Sequence, residues 1–323
     1  MRNSPALSRW DATVADYLSS RHALGRVFRK EETVLCHMRA FLASRGAKDL
    51  DQPLFDQWRR QFYHLSASTR VIREITIYNF CRYRRRTEPR FFLPDRFALA
   101  RRRPYALPTL IEHDQVVQLL RYVSVRRSRF LSPRRPAVLR FAIVLLYTAG
   151  LRRGELVRLT LDDVDVGAGV LRIRESKFHK SRWVPLSRSA ARELRRYLDV
   201  RRVIIAHPSP CAPLLCTASG EPYSDTGLSN CIKDAMIRSG IWTGAKRRPR
   251  IHDFRHSFAV AALARWYQAD ADVQSNLPRL ALYMGHVSIV STAYYLRLMP
   301  AVVALAGQRF ERAFGDLIQG GAP

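Results

Sequence analysis

A break in the helical pattern of this sequence divides the chain into two parts. From Thr87 to Pro108 the apolar residues lose their regular spacing, and prolines stand at positions 89, 94, 104 and 108. The basic run Arg101–Arg103 lies among these prolines. A segment rich in proline and charge favours an extended linker over a packed element. The sequence therefore predicts two domains, residues 1–104, which include the linker from about 87, and residues 105–323.

Four segments of the first domain carry apolar residues at helical spacing. Their bounds are residues 11–26, 31–44, 52–65 and 66–86. In the fourth segment Ser66 is suited to cap a helix, and Val71, Ile75 and Phe80 supply part of its apolar side. The first domain is therefore predicted to be a small, wholly helical unit.

The second domain is predicted to combine helices with one small β-hairpin. Residues 136–146 form a strongly apolar helix, which indicates a buried core element. Residues 169–174 and 182–186 have the character of strands, and the loop of residues 175–181 joins them. The fold class is therefore mainly α with a small β-hairpin or sheet. Further helices are predicted at residues 114–124, 189–205, 225–239, 252–267, 277–284 and 302–318.

The charge of the chain is strongly positive. It carries 55 Lys and Arg residues against 27 Asp and Glu, which gives a net charge of +28. A chain that is 47% hydrophobic and this basic indicates a polyanionic partner, most simply double-stranded DNA. Basic residues alternate with aromatic ones at the end of the fourth helix; the alternative there is a solvated helix end with buried rings. The arginines expected to contact DNA are Arg82, Arg84, Arg85, Arg86, Arg101, Arg102 and Arg103.

Other features of the sequence bear on compartment and cofactors. The cysteines, at positions 36, 81, 211, 216 and 231, are scattered, which favours reduced thiols over a disulfide framework or a zinc site. Residues 1–11 lack the apolar core of a signal peptide, and the apolar run Phe141–Leu146 is too short to span a bilayer. The group Asp162, Asp163 and Asp165 favours a turn over a metal site. We expect a cytoplasmic bacterial protein, associated with the nucleoid, that has no cofactor, metal or membrane partner.

Two short motifs contain residues suited to bind a phosphate. Arg152 begins a helix after a small-residue turn, and Glu155 lies one turn later, where it can hold the guanidinium group. His252 and Arg255 lie three positions apart at the start of another helix and so share a face. Each motif alone is weak, because Arg152 and Glu155 also fit a surface ion pair and His252 also fits a helix cap. The pair His252-Asp253 is similar to the metal-binding pair of HD phosphohydrolases, but the sequence offers no convincing further ligands in a suitable order.

The order of these motifs along the chain is more specific. The chain contains, in this order, an arginine, a hairpin that bears lysine, the motif His-x-x-Arg, the pair Gly-His and a tyrosine nine residues later. This order resembles that of the tyrosine recombinase family of the phage-integrase type. The likeness covers the whole second domain, and the first domain is similar to the helical core-binding (SAM-like) domain of that family. A softer likeness points to transposon-borne integrases. The matching residues are Thr148 to Glu155, Ser176-Lys177, His252 to His256, Met284-Gly285-His286 and Tyr295.

The resemblance implies a site-specific DNA recombinase or integrase. Such an enzyme cleaves and rejoins DNA strands through a 3′-phosphotyrosyl intermediate, and four subunits hold two duplexes. Every position of the family's catalytic set is filled, so nothing in the sequence argues for an inactive enzyme. The implied roles are phosphate clamp for Arg152 and Arg255, hairpin acid for Lys177, supporting donor or proton carrier for His252 and His286, and nucleophile for Tyr295.

The chemistry of these residue types agrees with the implied roles. Two arginines can bind the non-bridging oxygens of a phosphodiester bidentately, and two histidines can add hydrogen bonds without a metal. A tyrosine hydroxyl has a pKa of about 10 and is only roughly 0.1% ionised at pH 7, so it needs a base or a positive field beside it. A lysine on a hairpin can protonate the departing 5′ oxygen. The phosphotyrosyl bond conserves the energy of the broken bond, so rejoining needs no ATP, and the sequence holds no P-loop motif.

Several residue assignments stay open at this level. Tyr294 adjoins Tyr295, and on a helix the two side chains point about 100° apart, so only one can face the phosphate. The spacing from the Gly-His motif favours Tyr295. Lys180 is the alternative to Lys177 in the hairpin, and His256 is expected to be structural.

Alternatives also remain for the whole protein. The chemistry is shared by type IB topoisomerases, which act alone, and a non-catalytic DNA-binding regulator could keep the same fold. Residues 302–318, with Val303, Phe310 and Phe314, fit either a helix that docks on a neighbouring subunit or one that packs on its own domain. The expected partners are double-stranded DNA and further recombinase subunits, as a homotetramer or with partner recombinases on a DNA synapse.

Overall fold

The computed structural model describes residues 7–25, 28–100, 108–125, 135–174, 181–203, 209–242, 244, 249–286, 288–298 and 300–319. It is mainly helical and contains one small sheet, as the sequence predicts. Contacts between residues divide the chain into two compact units, Met1–Ala106 and Leu107–Pro323. The role of each unit remains a prediction. No helix within the described ranges is both long and apolar enough to cross a membrane.

The first unit consists of helices that enclose an aromatic core. Trp10, Tyr17 and Phe80 pack edge to face, with ring centroids 4.9 Å apart for Trp10 and Phe80 and 5.5 Å apart for Tyr17 and Phe80. Ser66 precedes the last helix and accepts a hydrogen bond from the backbone amide of Thr69, which fixes the start of that helix. The helices are α1 (Ser8–Ala23), α2 (Arg29–Ser44), α3 (Gln52–Arg60) and α4 (Ala67–Arg84).

The second unit holds the remaining helices. They are α5 (His113–Val125), α6 (Arg135–Thr148), α7 (Arg153–Arg158), α8 (Arg188–Arg202), α9 (Asp225–Arg238), α10 (Ile251–Gln268), α11 (Val273–Met284), α12 (Val290–Leu298) and α13 (Pro300–Gln319). Helix α6 is buried on nearly all sides, including the unbroken run from Phe141 to Leu146, which explains why this part of its sequence has no polar face. The Phe141 ring stacks on Tyr197 of α8 at a centroid distance of 4.7 Å. Helix α6 therefore forms the centre of this unit.

A small antiparallel sheet completes the second unit. Leu171 pairs with Val184, and both side chains are buried in the core of the unit. The two longer strands form the predicted hairpin. At the first strand the sequence predicts only a turn, because two residues are too few to show the period of a strand. The strands, in sheet order, are β1 (Val164–Asp165), β2 (Val170–Ile173) and β3 (Arg182–Pro185).

The acidic residues before the sheet are bound by neighbouring groups of the chain. Asp163 is buried, accepts the backbone amide of Thr160 at 3.1 Å and contacts Arg174. Asp162 also contacts Arg174. The segment forms the short 3-10 turn Leu161–Asp163, so these carboxylates serve a turn and ion pairs. No group of three or more His, Cys, Asp or Glu side chains in the described part of the chain is arranged to hold a metal ion.

Candidate active site

Three arginines meet the carbonyl end of helix α11. Gly285 follows this helix in the left-handed conformation, with φ 66°. The last carbonyls of a helix have no partner inside the helix and carry partial negative charge. The carbonyls of residues 283, 284 and 285 each accept a hydrogen bond from a different arginine: Arg182 Nε at 2.7 Å, Arg255 Nη2, and Arg152 Nη2 at 2.6 Å. One helix end therefore holds together guanidinium groups from β3, from α10 and from the residue before α7.

Glu155 is the acidic partner of two of these arginines. Its buried carboxylate accepts hydrogen bonds from Arg152 Nη1 at 2.7 Å and from both terminal nitrogens of Arg182 at 2.9 Å. It also accepts the backbone amide of Arg152 at 2.9 Å, which caps helix α7. Burial acts to raise the pKa of Glu155, but the hydrogen bonds and charges of Arg182 and Arg152 outweigh it and lower the pKa to about 2. The ion pair suggested by the i,i+3 spacing is present, and its carboxylate is buried.

The two predicted clamp arginines differ in exposure. Arg255 is 1% exposed, and its Nη1 also donates to the carbonyl of Gly150 at 2.5 Å. Burial first, and then the charge of Arg152, lowers the pKa of Arg255 to about 9. The side chain of Arg152 is 23% exposed. The two guanidinium groups are thus close enough to act on each other, and Arg152 is the more exposed of the two.

Two histidines lie in the field of these arginines. Nδ1 of His286 is 2.6 Å from Oγ1 of Thr292, a buried residue of α12. Burial lowers the pKa of His286 to about 4, and the charges of the site arginines add to the shift. His252 lies in the first turn of α10, and one edge of its ring is exposed. Burial of the rest of the ring lowers the pKa of His252, and the charges of His256 and Arg255 lower it further. Both rings are therefore neutral at pH 7, and each has one N–H to donate.

Tyr295 lies on α12 and is 3% exposed. Its hydroxyl oxygen is 2.9 Å from Nδ1 of His256, and the centroids of the two rings are 5.5 Å apart. Tyr295 also acts on the pKa of Arg255, so these two groups interact. The neighbouring Tyr294 is only partly buried, with its ring centroid 5.7 Å from that of Tyr295. The contact with His256 places the Tyr295 hydroxyl beside α10, the helix that carries Arg255.

The predicted catalytic residues that the structure describes lie around this one centre. They come from the α7 cap, the start of α10, the turn after α11, and α12. Lys177 and its alternative Lys180 fall on residues 175–180, which lie outside the described residues. The residues brought together are Arg152, His252, Arg255, His286 and Tyr295.

The sequence-based site lacks two residues of this centre, Arg182 and His256. The sequence treats Arg182 as part of an apolar strand and His256 as a structural residue. A signal for each is nevertheless present. Arg182 pairs across the sheet with the buried Ile173, so it faces inward, where an arginine needs an acidic partner. His256 lies one helical turn after His252, with their ring centroids 4.6 Å apart.

The arginines predicted to contact DNA in the first unit are not all alike. Arg82, Arg85 and Arg86 are exposed at the end of α4. Their positions are compatible with contact to a DNA backbone, which stays a prediction. The linker residues Arg101, Arg102 and Arg103 lie outside the described residues.

Arg84 differs in exposure from the arginines beside it. Its side chain is 4% exposed, and it donates to both carboxylate oxygens of Asp49, at 2.6 and 2.7 Å. The guanidinium carbon also lies 3.8 Å from the centroid of the Phe91 ring. The guanidinium of Arg84 is therefore buried and paired with a carboxylate in this structure, unlike the exposed arginines beside it, and its contact with DNA stays a prediction.

The second unit matches a known protein family. The model of the phage integrase family matches residues 109–301. The putative integrase/recombinase y4rB of Sinorhizobium fredii (strain NBRC 101917 / NGR234) is 33% identical over 313 residues, which cover 96% of this chain and 99% of that protein. The tyrosine recombinase XerC of Lactobacillus leichmannii is 27% identical over 214 residues, which cover 66% of each chain. The first of these similarities extends over both units.

Solved integrase structures have a similar fold. The Tn1549 transposon integrase in complex with transposon right end DNA superposes with a TM-score of 0.66 at 15% identity, covering 93% of this chain and 98% of that chain. A lambda integrase dimer bound to a COC′ core site gives a TM-score of 0.59 at 17% identity, covering 88% and 96%. At these identities the likeness concerns the fold.

Proposed function

Because this chain belongs to the phage integrase family, as a tyrosine-type site-specific recombinase, we propose that it cuts and rejoins DNA strands through a covalent bond between Tyr295 and a DNA phosphate. The observation that carries this mechanism is the meeting of Arg152, Arg255, His286 and Tyr295 around the end of α11. These residues come from separate stretches of the chain, and they combine phosphate-binding cations with a hydroxyl nucleophile.

In the proposed mechanism Arg152 and Arg255 bind the non-bridging oxygens of the scissile phosphate. Negative charge gathers on these oxygens in the transition state, and cations already fixed in place stabilise it. Arg152, which is partly exposed, makes the first contact. A guanidinium group carries five N–H donors, so Arg255 can bind the phosphate and keep a carbonyl partner. His252 and His286, neutral at pH 7, add further N–H donors.

The hydroxyl of Tyr295 attacks the phosphorus in this mechanism. The bond between Oη and phosphorus forms, the bond from phosphorus to the 5′ oxygen breaks, and a 3′-phosphotyrosyl link remains. The predicted acid Lys177 supplies the proton that the 5′ oxygen takes up. Because the new ester keeps the energy of the broken one, the strands rejoin without ATP. The arginines and histidines provide the charge stabilisation, so the reaction proceeds without a metal ion.

The proposed assembly is a tetramer of this chain on two DNA duplexes, as the family resemblance implies. The sequence leaves two placements open for the last helix, on its own domain or on a neighbouring subunit. In this structure α13 packs against α10 of its own chain. Arg312 of α13 contributes hydrogen bonds to both carboxylate oxygens of Asp270, at 3.2 and 3.3 Å. Phe310 and Phe314 remain exposed and offer an apolar face that a neighbouring copy can cover. If a chain ending at residue 301 still brought two duplexes together, this use of α13 would be wrong.

Covalent trapping tests the proposed chemistry. The probe is a pool of DNA duplexes randomised around a central nick, so that the short 5′-hydroxyl fragment diffuses away after cleavage and the adduct accumulates. We expect a denaturant-resistant adduct with the wild type and with the matched control Tyr294→Phe, and none with Tyr295→Phe. Sequencing of the DNA in the adduct also identifies the target site.

Other outcomes of the trapping experiment would contradict the proposal. An adduct that survives Tyr295→Phe but is lost in Tyr294→Phe would move the nucleophile to Tyr294. Tight DNA binding without an adduct would favour the non-catalytic regulator. Relaxation of supercoiled DNA without any recombinant product would favour an enzyme that acts as type IB topoisomerases do.

A further inference from the structure

The hydroxyl of Tyr295 has a titratable partner inside the protein. Its oxygen lies 2.9 Å from Nδ1 of His256, and each of the two residues is 3% exposed. The contact joins α12 to α10 beside an apolar cluster that includes Leu263 and Met284. A hydrogen bond sealed from water is strong and holds its groups in a fixed direction. Tyr295 is thus positioned by a group that can also accept a proton.

We propose that His256 is a further catalytic residue, which takes the phenolic proton of Tyr295 during attack on the phosphate. This inference rests on the function proposed above, in which Tyr295 is the nucleophile. An imidazole ring accepts at Nδ1 when Nε2 carries its hydrogen. As the bond from Oη to phosphorus forms, the proton passes to Nδ1, and the 5′ oxygen leaves with a proton from the hairpin lysine. On rejoining, the 5′ oxygen attacks, its proton returns to the lysine, and Tyr295 regains its proton from His256.

In the proposed mechanism, a bound phosphate makes proton transfer to His256 more favourable. Arg255 precedes it on α10, and the His252 ring lies one turn earlier, at a centroid distance of 4.6 Å. Arg255 interacts electrostatically with Tyr295, the hydrogen-bond partner of His256, so its positive charge opposes a second positive charge on His256 until a phosphate is bound. The negative phosphate between the arginines offsets that repulsion. His256 can therefore accept the proton at the step where the phosphate is in place.

The other histidines of the site are placed for different work. Nδ1 of His286 is bonded to the hydroxyl of Thr292 at 2.6 Å, which orients the ring. His252 keeps an exposed edge, which suits contact with a bound phosphate. His256 is the histidine placed at hydrogen-bond distance from Tyr295. Geometry therefore separates the residue that serves the nucleophile from those that serve the phosphate.

The test compares His256→Asn and His256→Ala in single-turnover cleavage of a nicked duplex selected by the wild type. Asparagine places an amide oxygen near the position of Nδ1, so it can accept the hydrogen bond from Tyr295 but cannot take the proton. We expect both variants to form the adduct at least about 100-fold more slowly than the wild type, the lower end of general base catalysis. DNA affinity should be close to that of the wild type in both variants, and the thermal unfolding midpoint should fall more in His256→Ala, which leaves a cavity, than in His256→Asn. His113→Asn, the same substitution at an exposed position of α5, should cleave normally.

Raising the pH from 7 to 9 distinguishes a lost base from a damaged site. A tyrosine below its pKa forms more phenolate as the pH rises, so the difference in cleavage rate between the wild type and the His256 variants should shrink. A ratio of variant to wild-type cleavage rates that stays constant with pH would contradict proton transfer to His256. So would an asparagine variant that cleaves as fast as the wild type, because a hydrogen bond alone would then suffice.

The Tyr295→Phe variant separates this inference from the proposed function. If the wild type forms an adduct that Tyr295→Phe abolishes, the proposed function stands, whatever His256→Asn does. If the adduct persists in Tyr295→Phe, the proposed function fails and the role of His256 fails with it. The result that supports both is an adduct dependent on Tyr295 together with slow, pH-sensitive cleavage in the His256 variants.

Discussion

At the scale of single residues, Gly285 decides how closely the arginines can approach the end of α11. Its φ of 66° is a conformation that costs other residues about 1–2 kcal/mol. A Cβ at this position would lie 2.9 Å from Arg182 Nη1 and 3.2 Å from Arg152 Nη1. Glycine therefore meets two needs here: it ends the helix, and it leaves room for two guanidinium groups.

Gly285→Ala is expected to lower the free energy of unfolding by at least about 1–2 kcal/mol. It should also slow adduct formation by more than about tenfold, because displaced guanidinium groups lose their alignment with the phosphate. The matched control is Gly46→Ala, which shares a positive φ of 62° but has nothing within 4 Å of an added Cβ. Urea unfolding and the nicked-duplex assay measure the two quantities. Equal cleavage rates in the two variants would contradict the role given to Gly285.

Glu155 is expected to make stability depend on pH. Its folded-state pKa of about 2 lies below the roughly 4.3 of a free glutamate, so its stabilisation is present above pH 4.3 and is lost as the pH falls through 2. The shift corresponds to about 3 kcal/mol. Glu155→Gln should therefore be less stable than the wild type at pH 7, and the gap in urea unfolding should narrow toward pH 3. The control Glu193→Gln removes a partly exposed partner of Arg140, and its free energy of unfolding should differ less from that of the wild type. A difference for Glu155→Gln that does not change with pH would contradict this prediction.

At the scale of elements, Arg182 connects strand β3 to the end of α11 and to the cap of α7. Its Nε donates to the carbonyl of Tyr283, and its terminal nitrogens donate to Glu155, with 8% of its side chain exposed. Strand β3 begins directly after the hairpin loop that contains Lys177. Arg182 therefore fixes the first residue of β3 to the arginine centre.

Arg182→Lys tests this connection. A lysine presents one compact charge and cannot bind both oxygens of Glu155 and the carbonyl of Tyr283 at once. We expect the free energy of unfolding to fall by about 1–3 kcal/mol and adduct formation to slow. Arg188→Lys, at an exposed position at the start of α8, should change neither quantity. Cleavage at the wild-type rate in Arg182→Lys would show that the hairpin does not depend on this contact.

Elements with a long apolar period could be predicted from the sequence, and short or polar ones could not. Helix α6 has an apolar run that only a buried element requires. Helix α12 has a weak period, because its buried positions include Thr292, a polar residue whose hydroxyl bonds His286. No helix was predicted over residues 290–298, and the sequence singled out Tyr295 only through the catalytic motif. Strand β1 has two residues, and its pairing with β2 becomes visible only in three dimensions.

For the candidate site, too, local sequence patterns could not predict the contacts between residues that are far apart in the chain. The described members of the predicted catalytic set could be selected from the sequence because short motifs contain them. Arg182 and His256 bond residues 27 and 39 positions away, which no local pattern reveals. The sequence did not separate Arg84 from its exposed neighbours, because alternating basic and aromatic residues fit both an exposed helix end and an arginine buried against rings such as Phe91. Only the partner, Asp49, decides between them.

At the scale of the whole molecule, the net charge of +28 predicts that DNA affinity falls steeply with salt. Each phosphate that the protein neutralises adds about −0.9 to the slope of log affinity against log salt. Replacing Arg82, Arg85 and Arg86 with alanine should flatten the slope by about 0.9 for each phosphate that is no longer neutralised. Arg84→Ala should leave the slope unchanged and lower the thermal midpoint, because Asp49 loses its partner. Fluorescence anisotropy across a salt series measures the slope; a flatter slope in Arg84→Ala would restore that residue to the DNA surface.

The carbonyl end of α11 also determines at what point during synthesis the proposed active site can form. During synthesis Arg152 and Arg255 leave the ribosome before residues 283–285, whose carbonyls accept their hydrogen bonds only after α11 has formed. His286 and Tyr295 follow later still. A chain interrupted before this point lacks both the contacts that fix the proposed clamp and the proposed nucleophile, and a chain in which α11 is unfolded lacks the fixed clamp. If the proposed mechanism holds, incompletely synthesised or unfolded copies are therefore unable to cleave DNA, because the backbone carbonyls that shape the site are not yet in place.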